Sequence, residues 1–312
     1  MAAGRVAILA VALFFIAGLT GGCGQPPPSG GGGDGSGETT GEGETTSETP
    51  GESTGETSVE ETTMVDVGGT PELAEAADQY EEYVAEQIVL LDRLTGRFVE
   101  AVLAGDVERA KELYAPARVP WERIEPIAAQ LGDYDPRIDA REGDVPDSEW
   151  RGFHRIEKAL WIEGTTEGQE EYARQLREDV GNLREEIDGL ELEPVDLVTG
   201  SVELLNEVSA GKITGEEERY SHTDLYDIAA NVEGSEAAFE ELKPEVAGED
   251  LTLANEVEEG FDGVYEELEP YSREGGWVSY EQLDEADRRA LSQKVDALAE
   301  SLSRVGQVLE EG

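Results

Sequence analysis

Residues 71–104 read PELAEAADQYEEYVAEQIVLLDRLTGRFVEAVLA. Apolar side chains recur in this stretch at steps of three and four residues, which is the period of one face of an α-helix. The residues on that face are Leu73, Tyr80, Tyr83, Val84, Ile88 and Leu91. Because such a face must be buried against other elements, the pattern predicts a helix from Pro71 to about Ala104 that packs inside a helical domain.

The same period continues through the rest of the chain, and strand-like alternation is nearly absent. Asp106 is a candidate N-cap for a second helix that extends through Leu131, and we expect Pro116 and Pro120 to kink or interrupt it. Further helices are predicted at about 147–163, 166–189, 194–210, 223–242, 250–271 and 281–310, with loops at 132–146 and 211–215. The residues from 70 to 312 therefore predict an all-α fold, either one large domain or two packed helical bundles.

The first 22 residues have the pattern of an export signal. Arg5 supplies a positive start, an apolar run from 6 to 19 follows, and small residues lead to Cys23. This pattern resembles the lipobox of bacterial lipoproteins, although the usual leucine lies one place early, so we expect a lipid on Cys23 that anchors the chain to the outer face of the membrane. A cleaved secretory signal and an uncleaved anchor are the alternatives, and both would also export the domain.

Residues 23–69 are expected to form a disordered linker. From Gly24 to about Thr63 the chain consists mainly of Gly, Ser, Thr, Pro and Glu and contains no Lys or Arg, so it has too little apolar surface to offset the entropy of ordering. Cys23 is the single cysteine, which excludes a disulfide, a thiolate metal site and a cysteine nucleophile in the folded part. Any metal must therefore bind through His, Asp, Glu or Tyr.

The charge of the chain excludes some partners. It carries 73 acidic and 23 basic residues, a formal net charge of −50. Nucleic acid and anionic lipid are therefore poor partners, because like charges repel. An anionic surface suits cations, and it equally suits solubility at high salt.

The chain has only two histidines, His154 and His222, so few sites can contain an imidazole. His154 and Glu157 are three residues apart, and on a helix their side chains lie on one face and can converge on one ion. An ion pair on the helix surface is the alternative for this common spacing.

Three segments in order resemble the imelysin-like family, and more closely its EfeO/EfeM branch from bacterial iron uptake. The first is Gly-Phe-His-Arg-Ile-Glu-Lys-Ala-Leu-Trp at 152–161, which matches the family signature Gly-x-His-x-x-Glu, and the others are 113–126 and 202–225. The resemblance implies two packed helical bundles in an extracytoplasmic, metal-binding protein that carries iron, Fe²⁺ or Fe³⁺, as cargo. It also implies a membrane iron permease and a haem-type peroxidase as partners, and we expect a monomer.

Two features of the sequence limit what the resemblance implies. EfeO proteins carry a cupredoxin-like domain before the helical one, whereas the residues before 71 are predicted to be only signal and linker, as in the shorter EfeM type, which disfavours a copper-assisted redox step. The sequence also lacks the His-Glu-x-x-His arrangement of zinc proteases. A metal-dependent peptidase or hydrolase and an anionic-polysaccharide-binding module remain alternative functions.

Further candidate ligands lie in the other two segments. Glu122 and Glu125 are three residues apart and can present two carboxylates to one ion, or they can form a solvated acidic face. Tyr220, His222 and Asp224 alternate in a stretch that we expect to be extended, followed by a helix capped by Ser221 or Thr223. A buried, hydrogen-bonded role for His222 is the alternative.

Three arginines complete the predicted site. We expect Arg118, Arg123 and Arg155 to lie in one interior polar network that limits repulsion among the carboxylates and orients them. Nitrogen and carboxylate ligands suit iron, zinc or copper, and the sequence does not choose among these metals. Binding is expected to weaken at low pH as histidine becomes protonated.

Overall fold

The computed structural model describes residues 69–311, which are mostly helical. The predicted signal segment, Cys23 and all but the last residue of the predicted linker lie outside this range. The α-helices in this range are α1 (Pro71–Leu103), α2 (Val107–Arg123), α3 (Tyr134–Ile138), α4 (Phe153–Lys158), α5 (Glu170–Glu186), α6 (Pro194–Ala210), α7 (Asp224–Glu249), α8 (Leu251–Leu268) and α9 (Glu285–Glu311). Within residues 69–311, none of the helices combines the length and the apolar character needed to traverse a bilayer.

Shorter elements connect these helices. The 3-10 helices are Glu125–Leu131, Ile187–Gly189, Lys212–Thr214, Glu269–Tyr271 and Tyr280–Gln282. A π-helical turn, Ala159–Glu163, follows α4 directly. The strands β1 (Ser272–Arg273) and β2 (Gly276–Trp277) form an antiparallel pair in which Ser272 faces Trp277.

Local chemistry explains why α1 begins at Pro71. The Leu73 backbone N–H donates to Thr70 Oγ1 over 3.2 Å, and proline at the first helical position lacks an N–H that would otherwise go unpaired. The predicted face is buried along most of its length, with Tyr80, Val84 and Ile88 fully enclosed. The predicted helix is confirmed, and its end lies one residue earlier than expected.

The helices form two packed bundles, as predicted. In the first bundle α1 packs against α2 and α5, and in the second α6 and α8 pack against α7 and α9. Helices α2 and α7 contact each other where the bundles meet. Gly234 permits this contact, because a Cβ at that position would lie 2.2 Å from the Arg123 carbonyl oxygen.

Some predicted boundaries were wrong. Helix α2 runs unbroken through Pro116 and Pro120 to Arg123, and 3-10 geometry begins only at Glu125. The helix predicted over 147–163 begins only at Phe153, because Gly152 adopts φ +88°, which is not helical. The Cα of Gly152 also lies against the backbone of Ile138, and a Cβ on Gly152 would lie 2.2 Å from the Ile138 carbonyl oxygen. The predicted loop at 132–146 contains the short helix α3.

Candidate metal centre

One turn of α4 brings together the two residues that the sequence singled out. The Nδ1 atom of His154 lies 3.0 Å from Oε2 of Glu157, and both side chains are buried. The prediction that the two share one face of a helix is confirmed. A buried pair differs from the surface ion pair that was the alternative, because neither group can exchange its partner for bulk water.

Glu218 completes a group of three possible ligands. One ring nitrogen of His154 and one carboxylate oxygen from each of Glu157 and Glu218 lie within 4.8 Å of one another, and all three residues are buried. We call these residues the triad. An imidazole nitrogen with two carboxylates is a ligand set that suits iron and other first-row divalent metals.

Glu157 itself holds the loop that carries Glu218 in place. Its Oε1 accepts hydrogen bonds from the backbone N–H groups of Tyr220, at 3.0 Å, and Ser221, at 2.7 Å. The hydroxyl of Tyr114 is 3.4 Å from His154 Nδ1 and donates to Glu218 Oε1 over 3.3 Å. The triad is therefore held together by contacts among α2, α4 and the loop before α7.

The surroundings of His154 and Glu157 disfavour charge on these two side chains. Burial, and secondarily the positive charge of Arg118, lowers the pKa of His154 well below its usual value, so the imidazole stays neutral to a lower pH than a free histidine. Burial and the neighbouring charge of Glu218 raise the pKa of Glu157. A neutral imidazole is the form that binds a metal, and a cation between the carboxylates would offset their mutual repulsion.

Arg118 supplies positive charge beside the triad. Its guanidinium group is fully buried and forms ion pairs with Glu122, Asp139 and Glu218, the last at 2.7 Å. The His154 Nε2 atom lies 3.8 Å from Oδ1 of Asp139. Arg118 thus limits the repulsion among carboxylates that burial would otherwise make severe.

Arg123 and Arg155 do not share this network, so the prediction of one network for all three arginines was wrong. The Nε atom of Arg123 donates to Glu233 over 2.9 Å, and its Nη1 donates to Gln87 over 2.9 Å. The Arg155 guanidinium lies between the rings of Trp150 and Tyr172, at 4.8 and 4.7 Å from their centres. Adjacent positions on a helix are about 100° apart, so Arg155 points away from the side that His154 occupies.

Glu122 and Glu125 are both buried, but each pairs with a different cation. Glu122 binds Arg118 at the end of α2, whereas Glu125 lies 3.4 Å from the Nζ atom of the buried Lys212. Burial raises the pKa of both carboxyl groups, and the negative charge of Glu125 further raises that of Glu122. The two carboxylates are close enough to interact, and they lie outside the triad.

The chain turns at residues 219–221 and Asp224 is already the first residue of α7, so the expectation of an extended stretch over 220–224 was wrong. His222 adopts φ +55°, and its backbone N–H donates to the Glu218 carbonyl oxygen over 2.7 Å. The Tyr220 hydroxyl donates to Glu142, while Oδ1 of Asp224 accepts from the Glu218 backbone N–H over 3.2 Å. Because a turn replaces the alternation, the three side chains do not line one side.

The predicted capping of α7 is only partly right. Thr223 is the N-cap residue, as one of the two alternatives had it, but its side chain makes no capping hydrogen bond. Its hydroxyl instead lies 2.9 Å from Oγ of Ser221, which donates to Oε2 of Glu218. Both hydroxyls thus help to hold the loop that presents Glu218.

Comparison with known proteins assigns the chain to a family. Residues 76–305 match the family model described as Imelysin, whose label is that of a peptidase family. The chain belongs to the imelysin family. It is 43% identical over 257 residues to the iron uptake system component EfeM of Bacillus subtilis (strain 168), a match that covers 81% of this chain and 67% of that protein.

Two further relatives are named EfeO. The chain is 44% identical over 241 residues to the iron uptake system components EfeO of Escherichia coli (strain K12) and of Shigella flexneri, over 76% of this chain and 64% of each relative. The chain therefore spans about two thirds of the length of the curated relatives that it matches.

Sequence reasoning missed two buried acids near His154, which are Glu218 and Asp139. Glu218 follows Glu216 and Glu217, and the chain contains 73 acidic residues. Composition alone therefore cannot distinguish Glu218 from the other glutamates in this run. The available signal was indirect: Glu218 lies in the segment 202–225 that carried the resemblance, four residues before His222. Its proximity to His154 depends on folding across more than 60 residues of chain.

Proposed function

We propose that this protein is the extracytoplasmic, metal-binding component of an Efe-type iron uptake system. In this proposal Cys23 carries the lipid anchor, the protein captures Fe²⁺ or Fe³⁺ as a monomer, and it passes the ion to a membrane permease that works beside a haem-type peroxidase. The names of the EfeM and EfeO relatives support the part of the proposal that concerns iron uptake.

The observation that carries the proposal is the triad of His154, Glu157 and Glu218. These residues offer one nitrogen and two oxygen ligands inside the protein, within 4.8 Å of one another. Their positions are fixed by hydrogen bonds before any ion arrives, so little ordering entropy remains to oppose binding. The same ligands would accept zinc or copper, and it is the relatives' names that favour iron.

The burial of the triad argues against a peptidase. Metal-assisted hydrolysis needs a metal with an open water position, a general base and room for the scissile bond. His154 is 1% exposed and both glutamates are 0% exposed, so a polypeptide could reach them only if the helices separated. A lone cation needs far less space.

A polysaccharide-binding role has less support than iron capture. An anionic glycan would meet a chain with a formal net charge of −50, and repulsion would oppose the complex unless cations bridged the two. Binding of alginate or a similar glycan that persists after removal of metal would favour this role.

The test is metal binding by the purified protein under anaerobic conditions, measured by calorimetry with Fe²⁺ and by metal analysis after dialysis. Wild type is expected to bind iron, and Glu157→Gln together with His154→Ala is expected to abolish binding. His222→Asn is the matched control, because it replaces the other histidine at a position with φ +55°, which asparagine tolerates.

Two results would contradict the proposal. One is iron affinity in the double variant equal to that of wild type, with thermal unfolding showing that the variant is folded. The other is cleavage of peptide substrates by wild type that is lost in His154→Ala, which would establish the hydrolase instead.

A further inference from the structure

One face of α7 is polar and fully buried. It consists of Asp224, Asp227, Asn231 and Ser235, which follow one another at steps of three, four and four residues and are each 0% exposed. This spacing places all four on one side of the helix. Since α7 packs against α2, the face lies in the interior beside the helix that carries Arg118 and Glu122.

Two members of this face have structural partners. Oδ1 of Asp224 accepts from the Glu218 backbone N–H over 3.2 Å, and Oδ1 of Asn231 accepts from Lys212 Nζ over 3.2 Å. Both side chains therefore help to hold neighbouring segments in place.

Asp227 is different, because neither of its carboxylate oxygens has a hydrogen-bond partner among residues 69–311, although both are buried. A buried carboxyl group without a partner is costly, and native proteins rarely keep one that has no other use. Ser235 Oγ is also unpartnered within this range, but a neutral hydroxyl costs much less than a carboxylate.

The position of Asp227 connects it to the candidate metal centre. It lies one helical turn beyond Asp224 on the same side of α7, and Asp224 holds the Glu218 backbone. Burial raises the pKa of Asp227, and the charges of Glu218 and Glu122 raise it further, as expected for neighbouring carboxylates. Oε2 of Glu122 is likewise buried without a hydrogen-bond partner among the described residues.

We propose that Asp227 is a further carboxylate ligand of the captured cation, contributed by α7. This inference rests on the proposed function and extends it, because α7 would close the site from the second bundle. A third carboxylate increases the preference for a hard, highly charged ion such as iron over softer metals. It also explains why α7 contains a buried carboxyl group that has no hydrogen-bond partner within residues 69–311.

The test compares Asp227→Asn with wild type by anaerobic calorimetric titration of the full-length protein with Fe²⁺. Asparagine keeps the shape and removes the charge, so the variant is expected to bind at least tenfold more weakly with unchanged stoichiometry. Its metal-free melting temperature is expected to be equal to that of wild type or higher. Ser235→Ala is the matched control, since it removes another buried, unpartnered polar group from the same face, and it should leave Fe²⁺ affinity unchanged.

Asp227→Ser provides a second, smaller replacement in case the first variant does not fold. Affinity within twofold of wild type in a folded variant would overturn the role of Asp227 and leave the proposed function standing. Loss of folding in both metal-free variants would also overturn it, because Asp227 would then be structural. Absence of Fe²⁺ binding by wild type would refute the proposed function itself.

Discussion

Replacement of Arg118 by methionine should reveal how strongly the protein depends on one buried guanidinium group. The change removes the positive partner of Glu122, Asp139 and Glu218 while keeping an unbranched side chain of similar length. Removing one partner of a buried ion pair typically costs about 3–5 kcal/mol. Three carboxylates lose their partner here, which would raise the cost, but they can take up protons, which limits it.

Proton uptake gives this prediction a pH dependence. Carboxyl groups whose pKa is raised in the folded state lower the stability as the pH increases through that pKa. Burial already raises the pKa of Glu122, and loss of Arg118 should raise it further. We therefore expect Arg118→Met to lose about 3–5 kcal/mol at pH 8 and clearly less at pH 5.5.

The assay is urea unfolding in the presence of a chelator, followed by the fluorescence of tryptophans such as the buried Trp121. Arg109→Met is the matched control, because it breaks the ion pair between Arg109 and Glu112, whose side chains are 45% and 65% exposed respectively. The loss of this exposed pair should cost at most about 0.5 kcal/mol. A difference of less than 1 kcal/mol between the two variants at pH 8, or equal losses at both pH values, would refute the reasoning.

Three further predictions concern residues outside the triad. Gly152→Ala should lower the free energy of unfolding by at least about 2 kcal/mol, because Gly152 has φ +88° and a Cβ would meet the Ile138 carbonyl oxygen. Gly164→Ala is the control and should cost about 1 kcal/mol, because Gly164 has φ +66° but free space around it. Equal losses in thermal unfolding experiments would contradict this prediction. Burial raises the pKa of Glu207 to about 7. Glu207→Gln should therefore raise the free energy of unfolding by about 1–2 kcal/mol at pH 8 and by much less at pH 5. A gain in stability that does not depend on pH would count against this prediction. Arg155→Met should leave iron affinity unchanged but lose about 1–2 kcal/mol of stability, because this guanidinium packs between two aromatic rings, and weakened iron binding would restore the role predicted from the sequence.

The sequence predicted well whatever depends on neighbours within a helix. The helix predicted over 194–210 is α6, with the same bounds, and α1 differs from its prediction by one residue. Both start with proline in the first turn, and their apolar residues follow the helical period over four turns or more. The start of α4 was misplaced, because it depends on the contact of Gly152 with a distant backbone segment.

At the candidate site, too, the sequence predicted what depends on spacing within one helix and missed what depends on other segments. His154 and Glu157 could be paired in advance, because a spacing of three residues fixes which side of a helix they share. Arg155 was assigned to the interior although it follows His154 directly, and helix geometry alone places it on another side. The sequence predicted an extended stretch around His222, because no neighbouring residue indicated the left-handed backbone that His222 adopts.

The sequence by itself thus determined most of the long helices, the strong negative charge and the imidazole–carboxylate pair, because each follows from composition or from spacings of three and four residues. Only the tertiary structure decided that Glu218 completes the triad and that Arg118 alone among the three predicted arginines pairs with the buried acids beside it. It also decided that the buried carboxylate of Asp227 has no hydrogen-bond partner among residues 69–311. The physical reason is that these contacts join segments separated by tens of residues. Their geometry depends on how whole helices pack, which the pattern within any single helix does not specify.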